Sequence, residues 1–209
     1  MKKLVSFIIL ATVLTSFSTD MDTFVGKILY KNSFTDLRGN DITNQLAPYF
    51  GREQHYFIDN RNYKSHNEQN ALMQLYNGET NSYYYFNKDK SAIKYDAAMQ
   101  TSQKFIVTNL NKKEKIAGYK CESVQVETDN TTTVYYFNKT IRTNPENFAN
   151  HNFGGWNKYL KATGGALSLK FVMTDHKNGY ILTSVATEVS KQHLTAADFT
   201  VPADIKLTD

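Results

Sequence analysis

The sequence predicts a mostly antiparallel β protein of the α+β class. Short runs rich in Tyr, Phe, Val, Ile and Thr recur along the chain, turn-forming pairs such as Asn77-Gly78 separate them, and only a few stretches carry helical signals. With 209 residues, 41% of them hydrophobic, the chain can bury one substantial core. No linker or shift in composition divides it, so one domain over 19–209 is expected.

The elements follow in order. Residues 24–31 (FVGKILYK) open the series. Strands at 54–58 and 63–67 flank the turn Asp59-Asn60. Those at 72–76 and 82–86 flank Asn77-Gly78, a pair that supplies the positive φ angles of a tight hairpin. Asn87-Lys88-Asp89 leads into 91–95, and 103–109 precedes a basic loop at 111–115. Strands at 120–128 and 131–137 pair around Asp129-Asn130, and 167–174 and 180–190 around Asn178-Gly179. The count is about ten strands. Alternation puts Leu167, Leu169, Phe171 and Met173 on an apolar face and Ser168, Lys170 and Thr174 on the other. It likewise parts Tyr83 and Tyr85 from Tyr84 and Phe86.

Helical signals lie at 145–160, where Asn144 is a good N-cap and Pro145 suits the first position. Gly154-Gly155 is expected to break that helix in two. Residues 195–198 read as a short capped turn, and 35–51 as irregular or helical.

Residues 1–18 read as a cleavable signal peptide. Lys2 and Lys3 form a positive start, Leu4 to Leu14 an apolar run, and Ser16 and Ser18 the small residues before a cut. The run is shorter than the roughly 20 residues that span a bilayer core, and nothing later is apolar enough to cross. No cysteine follows it to carry a lipid. The expected address is the periplasm or the outside of the cell. The net charge of +4 includes those two lysines, so the rest is nearly neutral and lacks the basic footprint of a nucleic-acid binder.

Chemistry-bearing motifs are sparse. The one cysteine, Cys121, excludes an intramolecular disulfide and multi-cysteine metal sites, and reads as a small buried hydrophobe. The five histidines form no ligand pair in sequence, although His55 and His66 can meet across adjacent strands. There is no nucleophile elbow and no phosphate-binding glycine loop. No catalytic residue, metal or cofactor is assigned.

Four phrases carry a family resemblance: Phe24-Val-Gly-Lys-Ile-Leu-Tyr, Lys115-Ile-Ala-Gly-Tyr-Lys-Cys-Glu, Thr187-Glu-Val-Ser and Phe199-Thr-Val-Pro-Ala-Asp. In this order, over 24–204, the chain resembles an uncharacterised family of secreted bacterial proteins described as a domain of unknown function. That family is similar in turn to the periplasmic outer-membrane lipoprotein carriers and sorting factors. The resemblance implies a curved open half-barrel sheet with helices covering its concave face, and a hollow that takes acyl chains.

The expected function is therefore a non-enzymatic exported protein that binds a lipid or acyl chain. Leu167, Leu169, Phe171 and Met173 are the candidate lining on a strand, and Phe148, Phe153 and Trp156 the lid. The alternative is an envelope interaction module whose strand edges and aromatic residues engage another protein.

Overall fold

The computed structural model describes residues 23–208, so the expected signal peptide over 1–18 lies outside the described residues. The chain opens with β1 (Gly26–Asp36) and α1 (Thr43–Phe50). It then runs back and forth through β2 (Glu53–Ile58), β3 (Tyr63–His66), β4 (Leu72–Asn77), β5 (Ser82–Phe86) and β6 (Ser91–Asp96). A second series follows: β7 (Phe105–Ile116), β8 (Tyr119–Thr128) and β9 (Thr131–Arg142). Next comes a helical segment, with 3₁₀ turns at Pro145–Phe148 and Phe153–Gly155 and then α2 (Trp156–Thr163). Strands β10 (Ala166–Asp175) and β11 (Tyr180–Lys191), a 3₁₀ turn at Ala196–Phe199, and β12 (Lys206–Thr208) complete the described chain.

All twelve strands join one curved, unclosed sheet in the order β12-β6-β5-β4-β3-β2-β1-β11-β10-β9-β8-β7. Two meanders, β1 to β6 and β7 to β11, meet at its centre. There β1 and β11 pair in antiparallel register from Gly26↔Lys191 to Asp36↔Tyr180. The edge strand β12 pairs parallel with β6.

The turns explain several boundaries. The pair Asn77-Gly78 does mark a hairpin, but through different chemistry from the two-residue turn expected. The register Asn77↔Ser82 leaves a longer loop, in which Asn77 Oδ1 accepts from the amides of Glu79 and Thr80 at 3.0 Å each. Gly78 is required there for closeness, since a Cβ would sit 2.3 Å from the Arg61 carbonyl oxygen. The basic loop expected at 111–115 is instead part of β7. Its tight turn falls at Ala117-Gly118, both at positive φ, within the Ile-x-Gly-Tyr-x-Cys phrase. Strand β7 begins at Phe105 rather than Gln103, because Asp129 takes the amides of Gln103 and Lys104 at 2.8 and 3.0 Å.

Burial follows the pleat. A cross-strand row of Tyr63, Tyr76, Tyr83 and Tyr95 runs over β3 to β6. Tyr63 and Tyr76 belong to the main core and Tyr83 packs against it, with Ile28, Tyr30, Tyr56, Val124, Leu167 and Leu169 from the sheet and Phe148, Tyr159 and Leu160 from the helical segment. On the opposite face, Leu75, Tyr84, Phe86 and Ala92 form a smaller cluster against Val201 and Ile205. The predicted separation of Tyr83 from Tyr84 and Phe86 is thus realised. Burying a side chain the size of Leu167 or Phe148 contributes roughly 1.5–3 kcal/mol.

Strand β10 departs from clean alternation. Every residue from Ala166 to Leu169 is buried, and the register shifts twice before Lys170. Ser168, expected on the polar face, is buried and donates to the Lys170 carbonyl at 2.8 Å. Lys170 is held by both oxygens of Glu114 at 2.8 and 2.7 Å.

Candidate functional site

The helical segment is fixed on the sheet by backbone chemistry. The amides of Asn152 and Phe153 donate to the Ala97 carbonyl at 2.7 and 3.0 Å. Asn147 Nδ2 donates to the Asn60 carbonyl at 2.8 Å, and the Gly154 amide to Thr101 Oγ1 at 3.0 Å. Asn144 caps the first turn by accepting from the Glu146 amide at 3.1 Å, as its sequence position suggests. The expected break is present: Gly154 and Gly155 adopt φ of 64° and 70°, a left-handed pair that side chains disfavour. A Cβ on Gly155 would also lie 2.2 Å from the Phe105 ring.

This kink brings Phe153 and Trp156 to the same face of the sheet. Phe153 stacks on Tyr83 at 4.6 Å, Trp156 meets Tyr63 edge-on at 5.8 Å, and Trp156 stacks on Tyr159 at 5.5 Å. Between them lies a hollow of about 260 Å³, lined by Tyr56, Tyr63, Tyr83, Phe153 and Trp156, together with Gln74. Gln74 Oε1 accepts from Tyr83 Oη at 2.8 Å. The Tyr56 hydroxyl and Trp156 Nε1 are buried without a hydrogen-bond partner among the described residues. A second hollow of about 170 Å³ shares Gln74 and reaches Phe50, Phe171 and Leu182. It too has unpartnered polar atoms, Ser65 Oγ and Asn32 Oδ1.

Of the residues expected to line a ligand site, Phe153 and Trp156 line the first hollow and Phe171 the second. Phe148, Leu167 and Leu169 are fully buried in the core and line neither of these two hollows. Met173 is half-buried and pairs with Leu182 and Thr133. The sheet residues Tyr56, Tyr63 and Gln74 were not singled out by sequence reasoning. Alternation within 54–58 and 63–67 carries the tyrosines' signal, but only the fold puts them opposite Trp156.

The titratable groups near the hollow are held neutral. Burial raises the Tyr56 and Tyr63 hydroxyls well above the ordinary tyrosine range. His151 is buried between Tyr63 and Tyr76, with Nε2 2.7 Å from Tyr63 Oη, and burial lowers its pKa to about 3. Cys121 is buried, and desolvation raises its thiol pKa, as suits an inert core residue. His55 and His66 do face each other in register. Among the described residues no group of three or more metal-ligating side chains converges, and no helix is long and apolar enough to cross a membrane.

The fold is similar to part of a known structure. PNGF-II is 17% identical with a TM-score of 0.50, over 89% of this chain and 31% of that one. This chain thus spans about a third of PNGF-II, and the similarity is one of fold. A second crystal form gives 16% identity and a TM-score of 0.49, over 88% of this chain and 31% of that one. A LolA superfamily protein from Nitrosomonas europaea matches at 9% identity and a TM-score of 0.38, over 86% of this chain and 91% of that one. No curated protein matches the chain. The family model for a domain of unknown function, DUF4412, matches residues 61–205, and the chain belongs to that family.

Proposed function

We propose that the chain is a non-enzymatic, exported protein that binds an apolar ligand, such as a lipid or acyl chain, between its helical segment and the concave face of its sheet. The supporting observation is the aromatic hollow in which Phe153 and Trp156 face Tyr56, Tyr63 and Tyr83. Its walls suit a hydrocarbon or a flat apolar body. The unpartnered Tyr56 hydroxyl and Trp156 Nε1–H add two donors that an ester, hydroxyl or carboxylate oxygen of the ligand would satisfy. At about 260 Å³ and 170 Å³, each hollow falls below the roughly 300–1,000 Å³ of a typical small-molecule site. A long chain therefore has to occupy both, passing Gln74 toward Phe171 and Leu182. Phe153, Trp156 and Phe171 are the ligand-facing members of the expected lining, with Phe148, Leu167 and Leu169 as its packed backing.

The non-enzymatic reading is supported by the protonation states. His151 and the buried tyrosines stay neutral at pH 7, and none is poised for proton transfer there. The exported address rests on the leader-like order of residues 1–18. The alternative, strand addition by an envelope partner, is not favoured at edge strand β7, where Lys112, Lys113 and Lys115 are exposed charges that discourage pairing.

Trp156 is the only tryptophan, so its emission reads the hollow directly. Titration with dodecanol or dodecanoate is expected to give a saturable change that Phe153→Ala and Tyr83→Ala weaken. An unchanged emission, together with native mass spectra of bare protein after gentle purification, would overturn the reading.

A further inference from the structure

A cavity larger than both of these hollows, about 800 Å³, lies at the other end of α2 from the aromatic hollow. With 8 residues, α2 separates the two by roughly 12 Å. The side chains that set the cavity's charge are Lys112, Lys113, Lys139 and Arg142, against one acid, Glu122. Glu122 is already paired with Lys139 at 2.9 Å. Arg142 is half-buried, and its guanidinium has no hydrogen-bond or ion-pair partner among the described residues. Phe137, which is buried, and Leu110 supply apolar wall.

The backbone builds this arrangement. Asn111, Lys112 and Lys113 fall between the ladder pairs Leu110↔Ser123 and Glu114↔Cys121, where the β7–β8 register shifts. Such bulges re-aim side chains. Buried Ser123 pins this one by donating its hydroxyl to the Lys112 carbonyl at 2.7 Å. Beyond it, Glu114 is clamped to Lys170. At the opposite wall Arg142 ends β9, its own carbonyl accepting from the Phe24 amide.

We infer that this cavity binds a phosphate group. A planar guanidinium without a partner offers two parallel donors to an oxyanion, and flanking ammonium groups add point charges. The volume exceeds what a bare phosphate needs and admits a phosphorylated head group, with Phe137 and Leu110 against its carbon part. The phosphate belongs either to an anionic lipid head group or to a soluble phosphomonoester. The site stands independently of the aromatic hollow.

Calorimetric titration with glycerol 3-phosphate and flotation with phosphatidylglycerol-containing or pure phosphatidylcholine vesicles test it. The purified protein should bind glycerol 3-phosphate saturably, more weakly as salt rises. Arg142→Ala and the double variant Lys112→Ala/Lys113→Ala should each weaken binding by about tenfold or more. Arg142→Lys should recover part of the loss. Lys94→Ala, an exposed lysine on β6, should change nothing. Binding to phosphatidylglycerol vesicles that glycerol 3-phosphate competes away supports the site and identifies a lipid source. Binding of glycerol 3-phosphate without vesicle flotation supports it with a soluble source. Absence of binding to both overturns it, as does an equal loss in Lys94→Ala and Arg142→Ala when both keep the wild-type circular dichroism and melting temperature. The Trp156 response to neutral dodecanol should be unaffected in Arg142→Ala, which separates failure of this site from failure of the hollow.

Discussion

His151 shows how one residue ties packing to pH. Its ring is stacked on Tyr76 at 4.1 Å and kept neutral by desolvation, with a folded pKa of about 3 against an ordinary 6.5. For a base whose folded pKa is depressed, the unfolded chain takes up a proton first as pH falls. Its contribution is therefore intact above about pH 6.5 and declines toward pH 3, by up to about 1.4 kcal/mol per pH unit. Urea unfolding of wild type and His151→Phe should show this. The variant is expected to be weakened by a constant amount at pH 7, where it leaves Tyr63 Oη unpaired, and to lose less stability on going to pH 4. Equal slopes would exclude the assignment. Gly155 makes a second residue-scale case. Gly155→Ala combines a left-handed φ with a Cβ driven into the Phe105 ring. A loss of about 2 kcal/mol in chemical denaturation is expected.

Among the elements, the β7–β8 hairpin offers a gain instead of a loss. Ala117 sits at φ 46°, in the left-handed region, at an exposed turn. Ala117→Gly should stabilise the protein by roughly 0.5–1 kcal/mol, read as a shift in the denaturation midpoint. Elements of this kind were legible in the sequence where the signal is local. The Asn144-Pro145 start, the Gly154-Gly155 break and the alternation at Tyr83 to Phe86 depend on neighbours within a few residues. What was not legible depends on distant partners. The bulge that carries Lys112 and Lys113 is held by Ser123, and the start of β7 is set by Asp129. The polar-face assignment of Ser168 fails because the beginning of β10 lies under the helical segment and is buried at every position. The candidate site divides the same way. Phe153 and Trp156 stood out as aromatic residues on a helical stretch, whereas Tyr56, Tyr63 and Gln74 join them around one hollow only through the pairing of β2, β3 and β4.

At the scale of the whole molecule, stability should be graded from the centre of the sheet outward. The β1–β11 ladder is long, and Ile28 and Ala186 on it are buried, while β7 and β12 are edges. Native-state hydrogen exchange should find the slowest amides in β1 and β11 and the fastest in β12 and the outer side of β7. Uniform protection across the sheet would contradict that grading.

The β1–β11 pairing also has a consequence for how the chain is made. Its two halves come from opposite ends of the sequence, so a ribosome releasing residues in order delivers most of the polypeptide before the central seam has a mate. Until Tyr180–Lys191 emerges, each meander exists with a raw inner margin, and closure across so great a sequence separation is slow. Truncation just before β11 should therefore yield two sticky half-sheets rather than a slightly shorter protein.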